Sequence, residues 1–268
     1  MKRRFALKLT SLLPLLPLFF LLGPGLAPPA LAASAPAGSR CADCHFANPR
    51  GASQWHLSEW ENSAHGRNDV GCERCHGGDP STFESFRAHQ GMLGPQNPAS
   101  PIHRQNLPTT CGGCHPGPLE SFQKSRHYAL LREGSPDTPI CTTCHGAVGA
   151  FLLSPKALAA QCNSCHGAGK AAVRTDLPAE GRMRLQAVRD VRAQLDAVRK
   201  LIRSVRDKEL RAALELEARD AEVPIHEAVQ SAHTFVFEAM EQRLEVARKR
   251  IDLLNERLAN PKGPAAKP

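Results

Sequence analysis

Ten cysteines fall in this chain, and all ten sit in five copies of Cys-x-x-Cys-His: Cys41/Cys44/His45, Cys72/Cys75/His76, Cys111/Cys114/His115, Cys141/Cys144/His145 and Cys162/Cys165/His166. No other feature constrains the fold as much. Two thiols three residues apart can form thioethers to the two vinyl groups of one porphyrin, and the next residue places an imidazole under the iron; this is the c-type haem attachment signature. Disulfides would be the ordinary expectation for an exported chain with an even cysteine count. With 12 histidines in 268 residues, a histidine after every pair has a chance of roughly 10⁻⁷, and a disulfide framework has no use for it. Zinc ribbons use paired Cys-x-x-Cys but give no reason to repeat the trailing histidine five times. The reading is five covalently bound c-type haems, with the ten cysteines as attachment points and His45, His76, His115, His145 and His166 as iron ligands.

Those macrocycles also answer a folding problem. Residues 34–170 are rich in Gly, Pro, Ser and His, poor in branched aliphatics and without sustained periodicity. Such a segment cannot fill a core by itself, so the missing apolar volume has to come from porphyrin, with each motif opening or ending a short helix. From about Gly181 the pattern turns helical. Val191, Leu195, Val198, Ile202 and Val205 recur at spacings of 4, 3, 4 and 3, as do Met240, Leu244, Ala247, Ile251, Leu254 and Leu258. Pro224 lies between the two runs and predicts a break or kink there. The expected fold is mainly α: a haem-cored N-terminal region of short helices and loops, then a long antiparallel helical hairpin. The divisions are a signal peptide over 1–32, a haem domain over 33–175, the hairpin over 176–260 and a disordered tail over 261–268.

Export follows from Lys2, Arg3 and Arg4 ahead of an apolar stretch around Leu9–Leu22, then Ala30-Leu31-Ala32 in a small-x-small cleavage pattern. Pro14, Pro17 and Pro24 interrupt that stretch, which favours cleavage into the periplasm over the alternative, an uncleaved anchor in the inner membrane. Lys2, Arg3, Arg4 and Lys8 account for four of the eight net positive charges. With two propionates per haem the holoprotein is expected near neutral, and no basic-aromatic groove pattern points to nucleic acid.

Seven histidines remain for five vacant iron positions. His65 and His127 each close a Ser-x-His element preceded by an aromatic, Trp60 and Phe122. His226 and His233 lie seven residues apart on the expected second helix, hence on one face. His65, His127 and His233 lead the candidates for distal ligands, His89 and His226 follow, and His56 and His103 stand behind them. Met92 is the one methionine in the haem region and is read as packing.

Trp60-x-x-Ser63-x-His65, Cys72-x-x-Cys75-His76-Gly77-Gly78, Cys111-Gly112-x-Cys114-His115, Ser125-x-His127 and Ser231-Ala232-His233 resemble the multihaem cytochromes c. That group includes the tetrahaem carrier of ammonia oxidisers, hydroxylamine oxidoreductase and the pentahaem ammonia-forming nitrite reductase. The resemblance implies closely packed haems forming a path for electrons, and terminal helices that supply ligands and often a dimer contact. It departs from the enzymes in two respects. All five motifs end in histidine, whereas the nitrite reductases end one motif in lysine. The single tyrosine, Tyr128, directly follows a candidate ligand and is read as haem packing rather than as the cross-linking tyrosine of hydroxylamine oxidoreductase.

Two classes of function follow. In the first, bis-histidine haems of low potential carry electrons in an anaerobic or nitrogen/sulfur respiratory chain, between a quinol dehydrogenase or soluble cytochrome and a terminal reductase. In the second, one open iron reduces a small nitrogen or sulfur compound. A further expectation is that the hairpin mediates dimerisation or docking.

Overall fold

A computed structural model describes residues 40–48, 50, 53–148, 153–170 and 174–260; the expected leader and tail lie outside them. The described residues form one compact unit. The protein is mainly α, with no strand among the described residues. No helix among them is long and apolar enough to cross a membrane.

Up to residue 166 the helices are short. They run α1 (Cys41–Ala47), α2 (Gln54–Glu61), α3 (Ala64–Arg67), α4 (Glu73–His76), α5 (Ser85–Ala88), α6 (Leu107–Gly112), α7 (Pro116–Gln123), α8 (Arg126–Arg132), α9 (Cys141–His145) and α10 (Pro155–His166). Each Cys-x-x-Cys-His motif coincides with a helix end. The first opens α1, the second and fifth close α4 and α10, the fourth is α9 itself, and the third bridges α6 and α7. Gly77 and Gly146 stop α4 and α9 at φ 75° and 79°, a backbone state in which a Cβ would be strained. Few side chains are buried in this half: Ala42, Leu57, Trp60, Phe122 and Leu131 are its buried hydrophobics. That scarcity is what the composition predicts for a region whose core is completed by a prosthetic group.

The main side-chain core is elsewhere. Three long helices, α11 (Leu177–Ser204), α12 (Lys208–Ser231) and α13 (Phe237–Ala259), pack against one another. Val191, Leu195, Val198 and Ile202 of α11 meet Met240, Leu244, Ala247, Ile251 and Leu254 of α13, all at most 3% exposed. The stripe of α12 is Leu214, Ala218, Ala221, Ile225 and Ala228, again spaced 4, 3, 4 and 3. A long helical pair is present as expected, but the two stripes read from sequence fall on α11 and α13, and α12 stands between them in the chain as a third long helix.

The breaks fall where sequence reading did not put them. One lies at Val205–Asp207, where the Asp207 side chain accepts hydrogen bonds from the Glu209 and Leu210 amides and so caps α12. The other follows Ser231, in a 3₁₀ turn over Ala232–Thr234 that precedes α13. Pro224, expected to break or kink the helix, sits inside α12. Its ring leaves the carbonyl of Asp220 without the usual amide four residues on, and Arg250 of α13 donates to that oxygen at 2.5 Å instead. Ion pairs tie the bundle at its edges: Arg199 to Glu222 (2.5 Å), Arg243 to Glu227 (3.0 Å), Arg257 to Glu217, and Glu241 between Arg184 and Arg248. The last two guanidiniums, Arg248 foremost, hold the Glu241 carboxyl below its usual range.

Two joints fix the bundle to the short helices. Helix α10 lies along α11, while α7 packs on α12 and on the 3₁₀ turn. The second joint is close at Gly117, where a Cβ would come within 2.7 Å of the Gln230 side chain.

Candidate haem-binding site

Each of the five motif histidines faces one histidine from outside the motifs. The ring centroids of His45 and His89 are 5.8 Å apart, those of His76 and His56 6.1 Å, His115 and His65 6.0 Å, His145 and His233 6.1 Å, and His166 and His127 6.2 Å. Two imidazoles bound at about 2 Å on opposite sides of one metal, each through a nitrogen about 1 Å from its ring centre, have centroids about 6 Å apart. The observed spacing therefore fits an iron held between each pair, as in a bis-histidine haem. Among the described residues there is no cluster of three or more His, Cys, Asp or Glu able to hold a bare metal ion, and all ten cysteines are free thiols. The residues present suit c-type haem and do not form a disulfide framework.

Local structure prepares the facing imidazoles. Ser63 and Ser125, both buried, cap α3 and α8 by accepting from the Gly66 and Tyr128 amides, which sets His65 and His127 in the first turn of each helix. This explains the Ser-x-His pattern physically: the serine starts the helix that presents the imidazole. His65 Nδ1 lies 2.6 Å from the Val148 carbonyl, His89 Nδ1 2.7 Å from that of Ser85, and His233 Nδ1 3.1 Å from that of Gln230. Donation from Nδ1 to a carbonyl fixes the tautomer and leaves the Nε2 lone pair for a metal. Burial, and secondarily the facing imidazole, lowers the pKa of His45, His76 and His127. Burial does the same for His233, with His145 adding to it. A neutral imidazole is the metal-binding form.

The pairing differs from the sequence ranking at two positions. His226 is not brought to a motif histidine; its Nε2 lies 2.8 Å from the Gln230 amide nitrogen. A face shared with His233 required one helix through residues 226–233, and the end of α12 at Ser231 puts His233 on the following turn instead. His56, placed behind the others, faces His76 from α2. The cue for it was positional: His56 and His65 lie nine residues apart on consecutive helices, and they face consecutive motifs. The imidazole of His103 accepts from the Gln105 amide and belongs to no pair.

Consecutive motifs are also neighbours in space. Burial raises the Cys72 thiol to about 11, with Cys41 of the preceding motif contributing. Desolvation by the surrounding protein also raises Cys75, which feels Cys111 and Cys114 of the next motif. Cys111 and Cys141 share a hydrogen bond between their thiols, which pushes Cys111 up and Cys141 down. Cys144 is raised to about 11 by burial and by Cys162. The attachment points thus follow one another in chain order.

The polypeptide does not enclose the ten sulfurs equally, and here the structure departs from a site walled by protein. The first cysteine of every motif is half-buried, as is Cys144, but Cys44, Cys75, Cys114 and Cys165 are exposed residues. Cys75 and Cys114 still have each other nearby from adjoining motifs. Cys44, within α1, and Cys165, near the end of α10, belong to the first and last motifs, which adjoin another motif on one side only. Cys165 Sγ has the Ser164 hydroxyl at 3.7 Å, itself exposed. The physical reason is the shortage of buried apolar side chains among the described residues of this half, and a tethered macrocycle would supply the missing cover. Exposure leaves each thiol open to a vinyl group, and Cys44 and Cys165 keep the three-residue spacing to Cys41 and Cys162 that two thioethers need.

Two families match parts of the chain. Residues 30–77, with the first two motifs, match cytochrome c554 and c-prime, and residues 97–167, with the other three, match cytochrome c7 and related cytochrome c. The matches support a multihaem c-type cytochrome. Covalently bound haem and a role in electron transport come with that assignment. No curated protein and no solved structure matches the chain.

Proposed function

We propose that this cytochrome carries five haems, each ligated by two histidines, and works as an electron carrier rather than as a catalyst. One observation supports this above the others: five motif histidines face five further histidines at 5.8–6.2 Å, so that no motif is left without a second imidazole. Bound haem supplies one-electron chemistry at iron, and axial ligands decide what else can reach the metal. His89, His56, His65, His233 and His127 would occupy the positions a substrate needs, while His45, His76, His115, His145 and His166 hold the opposite sides. Bis-histidine ligation without methionine favours low potentials. The succession of motifs in chain order supplies the short separations that electron transfer requires.

The setting we infer is the periplasm, after cleavage of the leader. Donors of matching chemistry are a membrane quinol dehydrogenase or a soluble cytochrome, and the acceptor is a terminal reductase of an anaerobic or nitrogen/sulfur respiratory chain. Mass spectrometry and low-temperature electron paramagnetic resonance of the mature holoprotein test the reading together. Five added haems, all low-spin in the ferric state and inert to cyanide, are expected. A high-spin ferric iron that binds cyanide or nitrite would replace the carrier with an enzyme.

A further inference from the structure

His127 is held differently from His65, His89 and His233. Nδ1 of His65, His89 and His233 each meets a backbone carbonyl, but Nδ1 of His127 is buried and finds no hydrogen-bond partner in the protein. An imidazole on a metal can rotate about the metal–nitrogen bond, so something has to set its plane. The ring packed most closely against His127 is that of Phe235, with centroids 4.4 Å apart and planes at 80°. This is an edge-to-face contact of the kind aromatic rings favour.

The backbone of Phe235 is unusual as well. It lies at φ 59°, ψ 21°, in the left-handed region, where a bulky residue is rare and glycine is the ordinary choice. The turn uses this state: the Phe235 amide closes it on the Ala232 carbonyl at 3.0 Å, and the chain then enters α13. Glycine would make the same turn without strain, and what glycine lacks is the ring. That ring also meets Phe122 (6.5 Å), which in turn meets Tyr128 (5.6 Å), the residue after His127. The strained residue is two positions beyond His233, so one turn presents one imidazole and braces another.

We propose that Phe235 is the positioning residue for His127, its ring setting the imidazole plane that a hydrogen bond sets for His65, His89 and His233. This rests on His127 being the axial ligand opposite His166. The test is low-temperature electron paramagnetic resonance of full-length ferric holoprotein, whose low-spin signals depend on the angle between axial imidazole planes. His127→Ala first identifies the signal of that iron by its loss. Phe235→Gly is expected to shift or broaden that same signal and leave those lost in His65→Ala or His89→Ala in place, while Phe235→Tyr keeps the native spectrum. Phe235→Leu, which fills the site without an aromatic edge, gives the same readout should the glycine variant fold poorly. If His127→Ala removes a signal that Phe235→Gly and Phe235→Leu leave unmoved, the positioning role is overturned and the ligand assignment stands. If His127→Ala removes none, the assignment falls and the role of Phe235 falls with it.

Discussion

Pro224 and Arg250 should be energetically coupled. A proline inside a helix costs about 3 kcal/mol relative to alanine, partly through ring clash and partly through the carbonyl it leaves without a donor. Here that carbonyl is Asp220 O, and the Arg250 guanidinium reaches it at 2.5 Å from the neighbouring helix. Hydrogen bonds from charged groups contribute about 1.5–3 kcal/mol, and the exposure of Arg250 brings the expectation to about 1 kcal/mol. Arg250→Met keeps the alkyl stem and removes the donor, so it should destabilise the holoprotein by about 1 kcal/mol, or about 2–4 °C in Tm for a unit of this size. After Pro224→Ala a backbone amide can serve Asp220 O, and the same arginine substitution should then cost only about 0.3 kcal/mol. The double-mutant cycle, followed by far-UV circular dichroism in guanidinium, should therefore give a coupling of about 0.5–1 kcal/mol. Equal costs of Arg250→Met in both backgrounds would refute the compensation and leave the proline in α12 without an explanation.

Two further results follow from the imidazole pairs. On the proposed five-haem assignment, His56→Ala should convert one iron to high spin, losing about a fifth of the ferric low-spin intensity, whereas His226→Ala should change none; the reverse outcome would restore the ranking read from sequence. The His145 and His233 planes lie 19° apart and those of His56 and His76 85°. Near-parallel imidazoles split the iron d orbitals and near-perpendicular ones leave them almost degenerate, so His233→Ala should remove a rhombic low-spin signal and His56→Ala a strongly anisotropic one. Loss of the same type of signal in both variants would count against these orientations.

Much of the fold was legible because its causes are local or periodic. The 4, 3, 4, 3 spacing of Val191 to Ile202 and of Met240 to Leu254 identifies buried stripes, and those residues are the core. Two of the motifs signal their own helix ends through the glycines directly after His76 and His145. How far the chain covers each sulfur was not legible, since the exposure of Cys44 and Cys165 depends on which motifs have neighbours in space. Misreadings arose where a tertiary partner overrides a local rule. Pro224 is tolerated because Arg250, 26 residues away in sequence, replaces its missing amide, and no local pattern reveals that. The break at Val205–Asp207 did carry a signal, the capping aspartate, overshadowed by the proline. His226 was ranked above His56 through the same error, since an unbroken helix was assumed to run through Ser231.

The position of the second break has a consequence for how the two halves depend on each other. Had α12 continued, His233 would have pointed wherever the helical repeat sent it. Ending the helix at Ser231 frees a short turn, and that turn is gripped from both sides: by α12 and α13 through their packed stripes, and by α7 through Phe122, with Gly117 close against Gln230 at the end of α12. The bundle thereby does for His233 what capping serines do for His65 and His127, but with tertiary contacts in place of local ones. A serine cap starts the helix that carries His65 or His127 through neighbouring residues alone, whereas the turn that carries His233 depends on the register of whole helices. Loss of bundle packing should therefore reach the proposed irons at the His145–His233 and His166–His127 pairs, the second through Phe235 of the same turn, before those facing His56, His65 and His89. Leu244→Ala, which opens a cavity in a fully buried site at a cost of about 2–5 kcal/mol, is the substitution most able to separate those two classes of ligand in a denaturant titration read by spin state.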